Sequence, residues 1–85
     1  MVIETFTRGA RAVYERAAKR GRMLPPGLVY VDSWIDERTL DRCFQLMETE
    51  DAGLFDEWIA SWSDLAEFEV VPVIDSAAAA VRVAP

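Results

Sequence analysis

The sequence predicts an α+β fold on three observations. Short strand-like runs and two amphipathic stretches follow one another as β-α-β-β-α-β, strong turn chemistry separates the first helix from the second strand, and a proline inside the last strand marks it as an edge. With 85 residues the chain reads as one domain, residues 1–85. At that size only about 60 to 65% of the unfolded surface is buried on folding, so a partner copy would add needed stability.

Each element carries its own signature. "MVIETF" is short and β-rich and ends at Thr7, which is placed to cap a helix running through "RGARAVYERAAKR" to Gly21. Ala10, Val13, Tyr14, Ala17 and Ala18 recur there at helical spacing, and Gly21 suits a left-handed C-terminal residue. Pro25 holds Leu24 extended, and Pro26 and Gly27 stand where a type II turn wants them, so the chain reverses before a second strand, Leu28 to Ile35. The polar "DERTLDR" leads into "CFQLMET", and the two runs form a hairpin. Asp51 is placed to cap a second helix, "AGLFDEWIASWSD", whose Leu54, Phe55, Trp58, Ile59 and Trp62 make a wide apolar stripe, with Glu50, Asp51 and Asp56 matched to its dipole. "EFEVVPVID" is the fourth strand, confined to a sheet edge or a bulge by Pro72, and "DSAAAAVRVAP" is a short capped C-terminal helix with a tail. This order is the split unit of ferredoxin-like folds, whose strand arrangement 4-1-3-2 leaves the fourth strand at an edge.

The second strand sharpens the picture. In "LPPGLVYVDSWID", alternation puts Tyr30, Asp32 and Trp34 on one side and Val29, Val31, Ser33 and Ile35 on the other, so neither side is plainly polar. In a ferredoxin-like unit both helices cover one face and leave the other bare. A bare face bearing Tyr30 and Trp34 is the kind of apolar patch that marks an interface or a groove. Two such sheets placed face to face form a dimeric α/β barrel, with Tyr30, Asp32 and Trp34 lining its interior and Val29, Val31 and Ile35 under the helices.

Composition removes many functions. The net charge is −6, with nine basic residues, which argues against nucleic acid as a partner. Arg8, Arg11, Arg16, Lys19, Arg20 and Arg22 fall within fifteen residues in and around the first helix, and such a run reads more readily as a solvated helix face than as a binding patch. There is no histidine and no asparagine, and Cys43 is the only cysteine. Serine and cysteine triads, zinc sites and an intrachain disulfide are thereby excluded, no cofactor or metal is expected, and a reducing cytoplasm is the simplest location. No signal segment and no membrane-length apolar run is expected either.

Four stretches, "YVDSWID", "CFQLMETED", "FDEWIASWSDL" and "FEVVPVID", in this order and spacing, resemble an uncharacterised bacterial family, the domain of unknown function 3303, within the dimeric α/β-barrel superfamily. The pairing of "WSDL" with "PVID" is the most specific part, and the resemblance covers nearly the whole chain. It implies the fold and a homodimer, and no activity. The wider superfamily holds cofactor-free oxygenases, haem-degrading oxygenases, lactone isomerases and stress-responsive barrels, so the fold does not select among them.

Carboxylates among aromatics remain as candidate chemistry. Asp32 and Glu48 are the candidate catalytic bases, because a carboxylate held against Trp34 and Tyr30 in a dry interior has a raised pKa; against this, both can be solvated or ion-paired. Tyr30, Asp32 and Trp34 are the expected ligand wall. Hairpin register decides whether Phe44, Leu46 and Glu48 share the face of Trp34. Trp58 and Trp62, four residues apart, read as core rather than an aromatic cage. Asp64 reads as a helix terminator and Cys43 as a small buried hydrophobe. The expectation is a cytoplasmic homodimeric barrel that binds a small apolar or aromatic molecule between its sheets. The alternatives are a cofactor-free isomerase or monooxygenase-like enzyme with a carboxylate base, and a ligand-free interaction module.

Overall fold

The computed structural model describes residues 1–85. In β1 (Val2–Phe6) the alternation turns Val2, Glu4 and Phe6 inward, and this strand pairs with a neighbour on each side. The remaining elements are α1 (Ala10–Arg20), β2 (Val29–Ile35), β3 (Arg42–Glu48), α2 (Gly53–Ala60), β4 (Ala66–Val70) and α3 (Ser76–Val83). All strand pairs are antiparallel and the order across the sheet is β2-β3-β1-β4, so the fold is α+β with ferredoxin-like topology and an open sheet. Strands β2 and β4 are its edges.

One face of the sheet is covered by the helices. Val2, Leu28, Met47, Trp58, Trp62 and Leu65 form the main core, packed by Ala12, Val13 and Ala17 of α1 and by Leu54, Phe55 and Ile59 of α2. Phe6, Cys43 and Ala66 form a smaller cluster beside it, and Phe68 joins the two. Trp58 and Trp62 are therefore core, as their spacing indicated; Trp58 is 2% exposed and meets Phe68 edge-on at 5.5 Å. Cys43 is buried as well.

Several local expectations are corrected. Thr7 does not cap α1, which begins after Gly9 with no side-chain cap. Asp51 lies one residue outside the cap position of α2, where its Oδ1 accepts the Gly53 amide at 2.9 Å. The α2 helix stops at Ala60 and the chain then passes through tighter turns, in which the Ser61, Trp62 and Leu65 amides donate to the carbonyls three residues back, of Trp58, Ile59 and Trp62. Asp64 does not bond local amides to end that helix; it takes both terminal nitrogens of Arg16 at 2.7 and 2.6 Å and ties α1 to the turn after α2. Pro72 lies beyond the end of β4, so its missing amide costs the ladder nothing. The turn at "PPGL" is as expected: the Leu28 amide donates to the Pro25 carbonyl at 3.2 Å and Gly27 has φ of 96°. Asp75 caps α3 by accepting the Ala78 amide at 2.7 Å.

The main correction concerns β2. Tyr30 pairs with Met47 while Asp32 pairs with Leu46, so Val31 is an extra, bulged residue. The bulge resets the parity, bringing Tyr30, Ser33 and Ile35 to the helix side. Tyr30 therefore does not share a face with Asp32 and Trp34, and Val29 and Val31 are exposed rather than under the helices. Ile35 takes the expected side. The same register puts Glu48 opposite Val29 and Phe44 opposite Trp34, so Asp32, Trp34, Phe44, Leu46 and Glu48 do share the bare face.

Helix α3 has no buried residue, and Val81 and Val83 stand exposed on it. The radius of gyration, 14.4 Å, exceeds the roughly 12 Å of a compact chain this long, as an unpacked terminal helix would make it. No helix is long and apolar enough to cross a membrane.

Because Trp58 is nearly inaccessible and joins both clusters through Phe68, Trp58→Ala should destabilise the subunit by roughly 3–5 kcal/mol. Chemical denaturation followed by circular dichroism measures it. Trp34→Ala, on the exposed face, should cost less than about 1 kcal/mol in the isolated chain.

Candidate functional site

Only two polar residues are buried, Glu4 and Gln45, and both lie on the helix-covered face of the sheet. The register brings them together: Glu4 sits opposite Cys43, and Gln45 sits between Val2 of β1 and Ser33 of β2. Across three adjacent strands, Glu4, Cys43, Gln45 and Ser33 thus form a polar floor in an otherwise apolar layer. Above it is a cavity of about 380 Å³. Val13, Tyr14 and Ala17 of α1 wall one side and Trp58 and Trp62 another, and the small Ala17 side chain leaves the space open.

Arg22 closes the network. It follows Gly21, with φ of 65°, and precedes Met23, a non-glycine residue at φ of 57°, so the backbone turns sharply on either side of it. Its carbonyl accepts both indole N–H groups, from Trp58 at 2.8 Å and Trp62 at 3.0 Å. Its Nη1 donates to Gln45 Oε1 at 2.8 Å, and Gln45 Nε2 in turn donates to Glu4 Oε1. The guanidinium carbon lies 3.6 Å from the centre of the Tyr30 ring, whose hydroxyl is 2.7 Å from Ser33 Oγ. No buried side-chain nitrogen or oxygen is left without a partner.

Burial pushes the Glu4 carboxyl up to about 7, against the lowering effects of the Gln45 hydrogen bond and the Arg22 charge. Near neutrality the site holds both protonation states, so Glu4 is suited to accept or to donate a proton. Burial, with the Glu4 charge adding to it, pushes the Cys43 thiol up to about 11, which keeps it protonated and not a nucleophile. The site thus offers a proton-exchanging carboxyl, a guanidinium, an amide that links them, and an aromatic wall.

The residues expected from sequence are divided between two faces. Asp32, Glu48 and Trp34 lie on the bare face; Asp32 is exposed and its Oδ1 accepts the Ser33 amide at 2.7 Å, Glu48 is exposed at the strand end, and Trp34 is 51% exposed. Tyr30 is on the opposite face and joins the cavity through Arg22 and Ser33. Sequence reasoning passed over Glu4, Arg22 and Gln45. The signal for two of them was present: in "VIETF" and "CFQLM" a polar residue sits at every-second spacing between apolar ones, where a buried face places it.

The Glu4 shift fixes a pH dependence. In the unfolded chain the carboxyl ionises at its ordinary value of 4.5, whereas in the folded chain it does so near 7. The folded state binds more protons between those values, so this contribution to stability is full below 4.5 and is lost as pH rises through 7. Glu4→Gln should match the native chain in stability at about pH 4 and exceed it by on the order of 2–3 kcal/mol at about pH 8. Denaturant titrations of both proteins across that range check the sign, with the contributions of the other carboxylates cancelling in the difference.

No curated protein and no solved structure matches the chain. A family model does match, over residues 1–85, and its description gives no activity. The protein belongs to the family Domain of unknown function (DUF3303).

Proposed function

We propose that the protein is a cytoplasmic homodimer that binds a small molecule with an apolar or aromatic body, and that the ligand occupies the cavity between α1 and the sheet. The observation that carries this reading is the hydrogen-bonded chain from half-buried Arg22 through Gln45 to Glu4, facing open volume between α1 and the two tryptophans. A few converging polar groups in an apolar pocket of this size are the usual makeup of a small-molecule site. Sequence reasoning placed the ligand between two sheets, beside Tyr30, Asp32 and Trp34. In the present reading Tyr30 supports the cavity from the side, through its stacking with Arg22, while Asp32 and Trp34 belong to the surface that a second copy covers.

The dimer is supported by that surface and by the small core. Eleven of 85 residues are buried in the single chain, and Val29 and Trp34 stand exposed on the sheet face that no helix covers, with the half-buried Phe44 and Leu46 beside them. A face-to-face pair of sheets would form the dimeric barrel. A second reading, an enzyme with a carboxylate base and no cofactor, is favoured by one observation, the Glu4 carboxyl that titrates near 7. In that reading Glu4 takes the part that the sequence suggested for Asp32 or Glu48.

Crystals soaked with one-ring aromatic fragments should show density against Trp58 and Trp62, and Ala17→Leu should weaken binding of any such fragment at least tenfold. Density only between the sheets, at Asp32 and Trp34, would return the site to its sequence-based position. Sedimentation should give a single species of twice the chain mass at micromolar concentration, and Trp34→Asp should shift it towards monomer. If a fragment is converted, Glu4→Gln should lower turnover by about 10²- to 10⁴-fold.

A further inference from the structure

Arg22 lines the cavity, yet it belongs to neither of the two side-chain ion pairs in the chain, Arg16 with Asp64 and Arg38 with Asp36. Its one side-chain hydrogen bond is from Nη1 to Gln45, so the rest of the guanidinium has no acceptor from the protein. The Tyr30 ring covers one face of it. A half-buried cation with a stacked face and unused donors at a cavity wall is built to meet an anion in its own plane.

The surrounding charges set which anion. Facing Glu4 are Arg22 from the loop, Cys43 and Gln45 from β3, and Tyr14 from α1; α2, the turn after it and β4 contribute only the uncharged Trp58, Trp62 and Phe68. Burial raises the Cys43 thiol and Tyr14 is a phenol whose ordinary value of 10 is raised further, so both are neutral here. The charge of the site therefore rests on Arg22 and Glu4 alone. With Glu4 ionised the cavity is already neutral and offers an anion no net attraction; with Glu4 protonated it carries one positive charge, which a single anion cancels.

We propose that the cavity takes a small aromatic monoanion, its charged group on the free edge of Arg22 and its ring between α1 and the tryptophans, with Glu4 taking up a proton as the anion enters. This rests on the cavity reading above and adds the ligand's charge and the proton. The balance is simple: an anion and a proton enter together, the proton forms an O–H bond at the Glu4 carboxylate, and no other bond changes.

Isothermal titration with benzoate, benzyl alcohol and benzylamine tests it, run in two buffers of different ionisation heat. Benzoate should bind at least tenfold more tightly than benzyl alcohol near pH 6, take up a fraction of a proton per site near pH 7, and lose about tenfold in affinity by about pH 8.5. Arg22→Met should abolish the preference for benzoate while benzyl alcohol still binds, and Glu4→Gln should bind benzoate with neither the proton uptake nor the pH dependence. Equal affinity for benzoate and benzyl alcohol, or preference for benzylamine, overturns the anion inference and leaves the cavity reading standing. Binding of benzoate with no proton uptake in either buffer overturns the role of Glu4. No heat from any of the three up to about 10 mM overturns both the inference and the cavity reading.

Discussion

Two indole N–H groups converge on one backbone carbonyl, that of Arg22, and the arrangement of the helix layer depends on that junction. The carbonyl belongs to the loop that leaves α1, and the indoles belong to α2 and to the turn after it. Burying a tryptophan leaves its N–H in need of an acceptor, and an orphaned donor costs about 1–3 kcal/mol. Satisfying both donors with one oxygen draws the two helical segments together over the sheet. The side chain of the same residue lies over the Tyr30 ring and bonds Gln45. Core packing and the polar site are thus held by opposite ends of one residue, and the positive φ values on either side of it show where the backbone bends to allow this.

The two faces of the sheet differ in a way that follows from the pairing. Inward positions of β1 and β3 combine Val2, Phe6 and Met47 with Glu4 and Gln45, and these polar groups find each other across the ladder. Outward positions put Trp34 beside Phe44, with Asp32, Arg42, Glu48, Glu67 and Glu69 around them. An apolar centre with a charged rim is the usual makeup of a protein interface. One face has built a polar interior of its own, and the other has kept its apolar surface on the outside.

How much of this was legible in the sequence varies with the range of the signal. The hairpin, the turn at Pro26 and Gly27, and the capped terminal helix came through because local chemistry specifies them, and the strand order because the succession β-α-β-β-α-β has a usual arrangement. The bulge at Val31 did not, since "VYVDSW" reads the same with or without an extra residue and only the partner strand reveals it. That one residue moved Tyr30 across the sheet. Glu4 and Gln45 were legible as polar residues at inward positions, but their meeting depends on a register between strands some forty residues apart. Arg22 looked like one more charge of a basic helix, and its role comes from a backbone turn and from indoles far along the chain. Asp64 was misread for the same reason, since it lies in the turn after α2 and its partner Arg16 is far back in the chain, in α1.

The bulge has a further effect at the margin of the sheet. Edge strands present unpaired amides and carbonyls that can recruit a strand from another molecule, which is the first step of ordered aggregation. On β2 the extra residue at Val31 breaks that row, and β4 offers only five residues of edge before Pro72, which has no amide to donate, stops the row from lengthening. Both margins are therefore poor templates, and continuous growth of the sheet from copy to copy is suppressed. Contact between copies is steered away from the margins and towards surfaces where side chains, not backbone, decide what fits.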